Sequence, residues 1–211
     1  CIAVSVLCHR KSLTVIQMWH ALGALKRFGL SIVGEGEGSS RDLAESMSMH
    51  KNYTWVLTSG SACLPYFSEA FGYDEKAVKV MSLPRVDKLT DDEFARSAVK
   101  RVRERYPRFE GKKIVVYAPT FRKDKDISRE IDDLAGKFDD GEYFFVLKKH
   151  PLMKETCDNC LPDEEFSTLE MLFAADYVIC DYSAVIFEAA ILKKPLFFYT
   201  FDYDTYGAAR D

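Results

Sequence analysis

The chain has 211 residues, of which 47% are hydrophobic and 29% charged, and its formal net charge is −4. These are ordinary values for a globular protein, and the length allows one large domain or two small ones. No run of about 18 uncharged apolar residues occurs, which argues against a membrane-spanning helix. A signal peptide is not expected either, because no basic residue precedes the short apolar run at the start.

The six cysteines lie mostly alone within apolar segments, which is typical of cytosolic proteins. Cys157 and Cys160 form a lone CxxC pair with His150 upstream. Tetrahedral zinc requires four ligands, and the sequence offers no second pair of candidate ligands to complete such a site. We therefore predict no metal site.

The first part of the chain predicts alternating strands and helices. The strands are short apolar runs, and they are expected at residues 1–7, 13–18, 55–58 and 78–82. The helices end at glycine where one follows, and they are expected at residues 21–28, 41–49 and 59–71. This first lobe looks incomplete at its N-terminus, so we expect the chain to be an excerpt of a longer protein.

Residues 84–87, Pro-Arg-Val-Asp, are expected to break regular structure before a long basic helix at 91–106. The domain boundary is therefore predicted near 83–90. It gives a first domain of residues 1–88 and a second of residues 89–211.

The second domain is predicted to be a doubly wound parallel sheet. Its strands are apolar runs without alternation, as in strands buried on both faces, and they are expected at residues 113–118, 143–147, 177–181 and 195–199. Helices are expected between them, at residues 127–138, from Ser167 onward and at 183–192. The fold class is therefore α/β, with right-handed crossovers.

Polar side chains follow the predicted strands in both domains. They are His20, Ser59, Arg122, Lys123, His150, Asp181, Tyr182 and Ser183. Open α/β sheets bind ligands at the carboxyl ends of their strands, so we expect these groups to face one cleft. Cations, imidazoles and a helix N-terminus opened by Ser183 suit a substrate with two or more phosphates. Each residue alone also has a structural explanation, since Ser183 could merely cap a helix and a strand-end histidine is more often structural than catalytic.

Charge is distributed unevenly along the chain. Residues 96–125 contain eleven Lys or Arg against three Asp or Glu, whereas residues 155–211 contain three against twelve. The basic block favours a local anionic partner, either a phosphorylated substrate or an anionic membrane surface, over nucleic acid. A solvated basic helix face at 96–105 is the alternative.

Several motifs in the chain are individually weak but occur in a meaningful order. They are QMWH at 17–20 with Lys26 and Gly29, PRVD at 84–87, YAPTFR at 117–122, KHP at 149–151, AD at 175–176, DYS at 181–183, KP at 194–195, and FDYDTY at 201–206 with Arg210. Together they resemble the CDP-glycerol glycerophosphotransferases of teichoic acid synthesis, including the related CDP-ribitol enzymes. The chain departs from the family pattern at Ala21, Ser82, Ala184 and Glu188.

The resemblance implies two Rossmann-like lobes of the GT-B type. It implies transfer of glycerol phosphate or ribitol phosphate from a CDP-alditol to a hydroxyl of a lipid-linked or polymeric acceptor, with release of CMP. No cofactor, metal or nucleic acid is expected. The protein is expected in the cytoplasm, docked peripherally on the inner face of the cell membrane, where basic residues can meet anionic lipid.

The donor diphosphate is expected against the helix opened by Ser183, with Arg122 and Lys123 reaching its oxygens and Ser59 close by. The other predicted substrate-binding residues are Arg85, Asp181 and Tyr182.

Two of the four histidines are predicted to be catalytic. His20 is expected to act as general base toward the acceptor, because it lies in the domain without the diphosphate site. His150, held by the proline that follows it, is expected to contact the reacting phosphate as a donor or acid. His9 and His50 lie in polar stretches without a motif.

Functions from other classes remain open at this point. A GT-B nucleotide-sugar glycosyltransferase or epimerase would share the cleft but break a glycosidic bond. A non-catalytic polyanion-binding module would bind the donor or acceptor without consuming it. A dinucleotide oxidoreductase is disfavoured, because no strand is followed by GxGxxG.

Overall fold

The computed structural model describes residues 2–35, 38–122 and 125–206. These residues divide into two compact units. Unit 1 contains the described residues up to Pro84 together with 202–206, and unit 2 contains Arg85–Phe201. The assignment of an acceptor role to the first domain and a donor role to the second stays a prediction.

Unit 1 is built on a parallel sheet with the strand order β1-β2-β3. The strands are β1 (Ile16–Gln17), β2 (Trp55–Thr58) and β3 (Val78–Val80). The helices of unit 1 that precede residue 84 are α1 (Ile2–Val6), α2 (Arg41–Ser46) and α3 (Leu64–Phe71), with 3-10 turns at Gly29–Ile32, Ser61–Cys63 and Glu75–Ala77.

The core of unit 1 lies between the sheet and α3. Phe67 and Phe71 on α3 are buried against Val56 and Val78. The helix ends, as predicted, at Gly72, whose φ of 71° is the left-handed conformation that glycine adopts at helix ends without steric cost.

The start of the chain forms a helix, so the strand predicted at residues 1–7 was wrong; Cys1 itself lies outside the described residues. A short apolar run fits a helix or a strand equally well by periodicity. The side-chain amide of Asn52 favours the helix, because it donates to the carbonyl oxygens of Val4, Ser5 and Leu7 at 3.2, 2.9 and 3.1 Å. These bonds satisfy carbonyls that a helix end leaves without partners.

The helix predicted at residues 21–28 was also wrong, since this segment consists of bends and extended residues. The chain here packs against α3 through its backbone. Gly29 has a φ of 61°, and a Cβ atom at this position would lie 2.3 Å from the carbonyl oxygen of Ala70. This tertiary contact overrides the local helix propensity.

Unit 2 is built on a sheet whose neighbouring strands are all parallel, which confirms the predicted architecture. The strands are β4 (Lys113–Ala118), β5 (Tyr143–Lys148), β6 (Leu161–Asp163), β7 (Tyr177–Cys180) and β8 (Leu196–Phe198). Their order is β6-β5-β4-β7-β8, and the short strand β6 was not predicted. The direction of strand succession reverses between β4 and β7, the kind of position at which Rossmann-like sheets bind ligands.

The remaining helices are α4 (Pro84–Leu89), α5 (Asp92–Arg105), α6 (Ser128–Ala135), α7 (Thr168–Ala174), α8 (Val185–Ile191) and α9 (Tyr203–Tyr206), and 3-10 turns occur at Pro107–Phe109 and Gly136–Phe138. The prediction that residues 84–87 break regular structure was wrong, because Pro84 occupies the first position of α4, where a missing N–H costs nothing. The predicted starts of α5 and α7 are confirmed by the Asp91 cap and the Ser167 capping box.

Both faces of the unit 2 sheet are covered. Val116, Val146 and Val178 lie in one buried cluster, and Val115 and Tyr117 lie in another. Burial on both faces explains why these strands read as continuous apolar runs.

Candidate functional site

Asp181 joins the loops that follow β4 and β7, and it is only 2% exposed. Its carboxylate accepts the Thr120 N–H at 2.9 and 3.0 Å, the Thr120 hydroxyl at 2.7 Å and an Arg122 Nη1–H at 2.8 Å. We call this arrangement the Asp181 clamp. It holds together the two loops where the strand order reverses, so Asp181 has a positioning role whether or not it contacts substrate.

The guanidinium of Arg122 is nearly buried, with 5% of the side chain exposed. Besides its ion pair with Asp181, it donates to the carbonyl oxygen of Thr120 at 2.7 Å and lies near the rings of Tyr182 and Phe201, 5.8 and 5.0 Å from their centroids. The orientation of Arg122 is therefore set by the protein. Lys123, its predicted companion, lies outside the described residues.

Helix α8 begins two residues later than predicted. The N-cap residue is Ala184, which makes no side-chain cap, so the prediction that Ser183 is the N-cap was wrong. The Ser183 hydroxyl accepts the N–H of Val185 at 3.4 Å, and the backbone N–H of Tyr182 donates to Asp181 at 2.6 Å. Asp181, Tyr182 and Ser183 thus form a hydrogen-bonded turn between β7 and α8.

Next to this turn, Cys180 is fully buried at the end of β7. Burial, with the neighbouring carboxylate of Asp181, raises the pKa of Cys180 to about 12. Its thiol therefore stays protonated near neutral pH and is not a nucleophile.

Arg85, at the start of α4, pairs with Glu188 on α8, with 2.7 Å between Nε and Oε1. Glu188 is 4% exposed, and its second carboxylate oxygen has no partner among the described residues. Burial raises the pKa of Glu188, and the charge of Arg85 opposes this rise. The ion pair connects α4 to α8 within unit 2.

His150 lies two residues beyond β5 and is exposed. Its ring stacks on Phe121, with centroids 5.5 Å apart, and its Nδ1 accepts the backbone N–H of Leu152 at 3.2 Å. Because Nδ1 acts as an acceptor, the proton of the neutral ring is on Nε2. Nε2 is therefore the ring atom of His150 that can donate to a ligand.

A pocket of about 450 Å³ opens beside this stack, at the carboxyl ends of β4 and β5. The residues that line it are Phe121, Arg122, Lys125, Asp126, Ser128, Leu152, Lys154, Glu155 and Thr156. Three of these side chains are cationic, which suits an anionic ligand.

In unit 1, His20 is positioned by an unusual residue before it. Trp19 has a φ of 52°, which is rare for a bulky side chain and is found where the surrounding structure enforces it. Its indole stacks on Phe28, with centroids 4.8 Å apart, and meets Phe71 edge-on at 5.4 Å. The turn presents the exposed imidazole of His20 beside the indole, 4.2 Å between ring centroids.

Ser59 follows β2, as predicted, and its hydroxyl donates to the carbonyl oxygen of Leu22. This hydrogen bond holds the segment that follows His20 against the loop after β2. Its predicted contact with the donor stays a prediction.

Sequence reasoning did not select Thr120 as a site residue, although it lies within the YAPTFR motif directly after a strand. The sequence also did not show which motif residues have a structural role and which could contact a ligand. Lys194 donates to the carbonyl oxygens of Phe173 and Ala175 at the end of α7, at 3.0 and 2.6 Å, and Asp176 accepts the backbone N–H of Ile114 at 2.7 Å.

Across residues 2–35, 38–122 and 125–206, no group of three or more His, Cys, Asp or Glu side chains is arranged to hold a metal ion. Cys157 and Cys160 are joined to each other as a disulfide. In the same ranges, no helix has the length and apolar character needed to cross a membrane.

Residues 2–211 match the profile of the family described as CDP-Glycerol:Poly(glycerophosphate) glycerophosphotransferase. The chain belongs to this family. It is 34% identical to a teichoic acid ribitol-phosphate primase of Bacillus spizizenii over 96% of its length, and 31% identical to a teichoic acid glycerol-phosphate primase of Bacillus subtilis over 98%. The chain spans about half the length of these relatives, 55% in both cases.

Solved structures agree with membership in the glycerophosphotransferase family. The wall teichoic acid polymerase TagF, in a histidine-to-alanine variant, superposes with a TM-score of 0.77 at 25% identity, over 95% of this chain and 53% of that one. This likeness confirms the predicted α/β, Rossmann-like fold of the GT-B type. UDP-GlcNAc 2-epimerase from Neisseria meningitidis superposes with a TM-score of 0.52 at 15% identity, which shows the fold alone.

Proposed function

We propose that the protein transfers glycerol phosphate or ribitol phosphate from a CDP-alditol to a hydroxyl of a lipid-linked or polymeric teichoic-acid-type acceptor. The observation that carries this proposal is the family match across residues 2–211. Relatives named as primases for ribitol phosphate and for glycerol phosphate and as a polymerase for ribitol phosphate support it, and so does a TagF variant structure obtained after soaking with CDPG.

In the proposed step, the acceptor hydroxyl attacks the phosphorus that carries the alditol. A new phosphorus–oxygen bond forms, the bond to the bridging oxygen breaks, and CMP leaves with that oxygen. The proton of the attacking hydroxyl moves to His20, which acts as general base. The exposed imidazole and its position after a strained turn support this role.

His150 is assigned to the phosphate that is transferred. Its Nδ1 is occupied by the Leu152 N–H, so Nε2–H can donate to a phosphate oxygen as negative charge develops there. The stack on Phe121 limits rotation of the ring, which favours a single donor direction.

The donor diphosphate is assigned to the carboxyl edge of β4 and β7, near Arg122, Tyr182 and Ser183. The reversal of strand order at this edge supports the assignment, and the Asp181 clamp orients the Arg122 guanidinium there. A guanidinium fixed before the ligand arrives loses little entropy on binding phosphate. Arg85 and Ser59 contribute by holding α8 and the His20 segment.

The experiment incubates the protein with CDP-glycerol or CDP-ribitol and a lipid-linked acceptor, and measures CMP release and acceptor extension. Release of CMP that depends on the acceptor is expected with at least one donor. Release of a nucleoside diphosphate from a nucleotide sugar would instead establish a glycosyltransferase. Tight binding of both CDP-alditols with no CMP formed would establish a binding module.

The proposal includes a cytoplasmic protein docked peripherally on the inner face of the cell membrane. Part of the basic block is neutralised by the protein, since Arg101 and Arg105 on α5 pair with Glu170 and Glu165. The cations of this block that form no ion pair with described residues include Arg96, Arg103, Arg108 and Lys112. Each can add about 1 kcal/mol near an anionic leaflet. Co-sedimentation with phosphatidylglycerol vesicles should weaken as salt rises, and binding that is insensitive to salt would contradict this docking.

A further inference from the structure

The segment that connects β5 to β6, residues 149–160, contains neither helix nor strand, and the structure describes all of it. We call it the β5–β6 segment. It contains His150 near its start, and four of its residues line the pocket beside the stack of His150 on Phe121. It ends at Cys160, which forms a disulfide with Cys157. The wall of the pocket is therefore carried by a segment that has no secondary structure of its own to hold it.

Side chains of α6 hold the end of the β5–β6 segment. The backbone N–H groups of Asp158 and Asn159, the two residues between the cysteines, donate to one carboxylate oxygen of Asp132 at 2.8 and 3.5 Å. The N–H of Thr156 donates to the Ser128 hydroxyl at 3.4 Å. Two successive N–H groups point at the same oxygen because the turn between the cysteines is tight, and the disulfide closes that turn. The disulfide therefore supports the contact between the β5–β6 segment and α6.

The disulfide is placed for exchange with a small thiol rather than for the stability of the whole unit. Cys157 and Cys160 are both half-buried, so a small thiol can reach their sulfur atoms. They are 3 positions apart, and a cross-link that closes so short a loop restrains the unfolded chain less than one that closes a long loop. Disulfides of cytosolic proteins are usually transient and serve redox sensing or catalysis.

We propose that Cys157 and Cys160 form a thiol–disulfide exchange site whose oxidised state holds the pocket wall in place. The partner is a low-molecular-weight thiol of the glutathione class. Its thiolate attacks one sulfur of the pair to give a mixed disulfide, and a second thiolate of the same kind releases the protein thiol. The pair gains two electrons and two protons, and two partner thiols become one disulfide. Oxidation of the pair is the reverse reaction.

Reduction separates the two sulfur atoms and allows the turn between them to open. The two N–H groups between the cysteines then exchange Asp132 for water, and a segment held by few hydrogen bonds loosens. The start of the segment keeps its own turn, because the Met153 N–H donates to the carbonyl oxygen of His150 at 2.9 Å. The change is therefore expected in the pocket wall at 154–156.

The effect on turnover rests on the proposed function. Arg122, which is assigned to the donor diphosphate, lines the same pocket as residues 154–156. Reduction should therefore raise the KM for a CDP-alditol and leave kcat nearly unchanged, because the groups assigned to chemistry are not displaced.

The redox state of the pair is measured after equilibration of the protein with mixtures of reduced and oxidised glutathione. Mass spectrometry of the peptide that contains both cysteines should show a reversible transition between the disulfide and a form heavier by two hydrogen atoms. The ratio of the two forms should follow the square of the reduced glutathione concentration divided by the concentration of the oxidised form. Cys8→Ser, which removes an exposed free thiol in unit 1, should leave the transition unchanged.

Trypsin probes the pocket wall without any nucleotide, because the exposed Lys154 lies within it. Cleavage after Lys154 should be about tenfold faster in the reduced protein than in the oxidised one, whereas cleavage after the exposed Lys51 in unit 1 should not change. The KM for CDP-glycerol or CDP-ribitol should rise about threefold to tenfold on reduction, because only part of the loosened population presents the formed wall. The double variant Cys157→Ser, Cys160→Ser should show fast cleavage and a raised KM in every glutathione mixture.

The outcomes separate the inference from the proposed function. A pair that stays oxidised in a large excess of reduced glutathione is a structural disulfide and overturns the inference. Equal cleavage rates after Lys154, or equal KM values, in the two redox states also overturn it, as does a double variant that still responds to glutathione. If neither redox state turns over a CDP-alditol, the proposed function fails, whereas the mass and cleavage measurements still decide whether the exchange site exists.

Discussion

The loops that carry the candidate residues are held by different forces in the two units. In unit 2, the Asp181 clamp uses charge and backbone N–H groups, and it is nearly excluded from solvent. In unit 1, the position of His20 depends on the packing of Trp19 against Phe28 and Phe71 and on a left-handed backbone. The clamp can therefore be broken by removing one charged group, whereas the His20 turn is sensitive to the loss of aromatic packing surface.

The largest expected effect tests the proposed general base in unit 1 separately from the donor binding proposed for unit 2. His20→Ala should lower the turnover of CDP-alditol by about a hundredfold to ten-thousandfold, because a general base is lost. CMP affinity should not change. Steady-state CMP release and titration calorimetry measure the two quantities, and His9→Ala is the matched control in unit 1. Turnover within a few-fold of the unaltered protein would remove His20 from the role of base and make His150 the next candidate.

Breaking the clamp should affect folding and binding together. Arg122→Ala should lower the free energy of unfolding by about 3 kcal/mol, because Asp181 stays behind as a buried charge without its cation. CMP affinity should fall by about 1.5 to 3 kcal/mol. Urea unfolding and calorimetry measure the two losses. Arg129→Ala, which removes an exposed ion pair on α6, should change stability by less than about 0.5 kcal/mol. A folded Arg122→Ala protein with normal CMP affinity would exclude Arg122 from the donor site.

Trp19 is the aromatic anchor of unit 1, because it holds the turn before His20. Its loss should reduce the free energy of unfolding somewhat less than the loss of the Asp181 clamp. Trp19→Ala should lower the free energy of unfolding by about 2 to 3 kcal/mol, below the loss for a fully buried tryptophan because Trp19 is half-buried. Turnover should fall more than CMP affinity, since only His20 is displaced. Trp55→Ala is the matched control: its ring is 37% exposed, with Lys79 Nζ 4.4 Å from its centroid, and a loss near 1 kcal/mol is expected. Equal losses in the two variants would contradict the anchor role.

The smallest effect concerns pH and should also be confined to unit 1. Burial lowers the pKa of His50 to about 4, whereas an unfolded histidine titrates near 6.5. The unfolded state therefore binds more protons between these values. The stabilisation is fully present above about pH 6.5 and is lost as pH falls toward 4, by about 1 to 2 kcal/mol after allowance for partial exposure.

Tryptophan fluorescence can measure this loss, because Trp19 and Trp55 both lie in unit 1. The unfolding midpoint in urea, measured between pH 4 and pH 7, should fall on acidification in the unaltered protein. His50→Gln should flatten this dependence. An unchanged pH profile in the variant would assign the acid sensitivity to other groups.

The sequence predicted the parts of the fold that leave a local pattern. The strands β4, β5 and β7 are apolar on both faces, and the start of α5 carries its cap in the sequence. The predictions for the start of the chain and for residues 21–28 were wrong. Contacts with Asn52 and with the carbonyl of Ala70 decide the conformation of these segments, and both partners are distant in sequence.

The sequence predicted where the candidate site residues lie in the fold, but not which of them form hydrogen bonds or ion pairs with each other. Residues at strand ends can be found by locating the strands, which is how His20 and His150 were selected. Which groups then pair depends on loops meeting in space. Asp181 resembled a ligand residue until its donors, Thr120 and Arg122, were seen to come from the loop after β4.

Unit 1 is discontinuous in the chain, because residues 202–206 belong to it after the whole of unit 2 has intervened. Lys26 donates to the phenolic oxygen of Tyr206 at 3.2 Å, a contact between residues 180 positions apart. During synthesis from the N-terminus, the residues of unit 1 up to Pro84 are made first, yet they gain α9 only after unit 2 has emerged from the ribosome. Unit 2 can therefore complete its fold before α9 is available to unit 1. A chain that stops at residue 201 would keep every strand of both sheets and lack the contact between Lys26 and Tyr206.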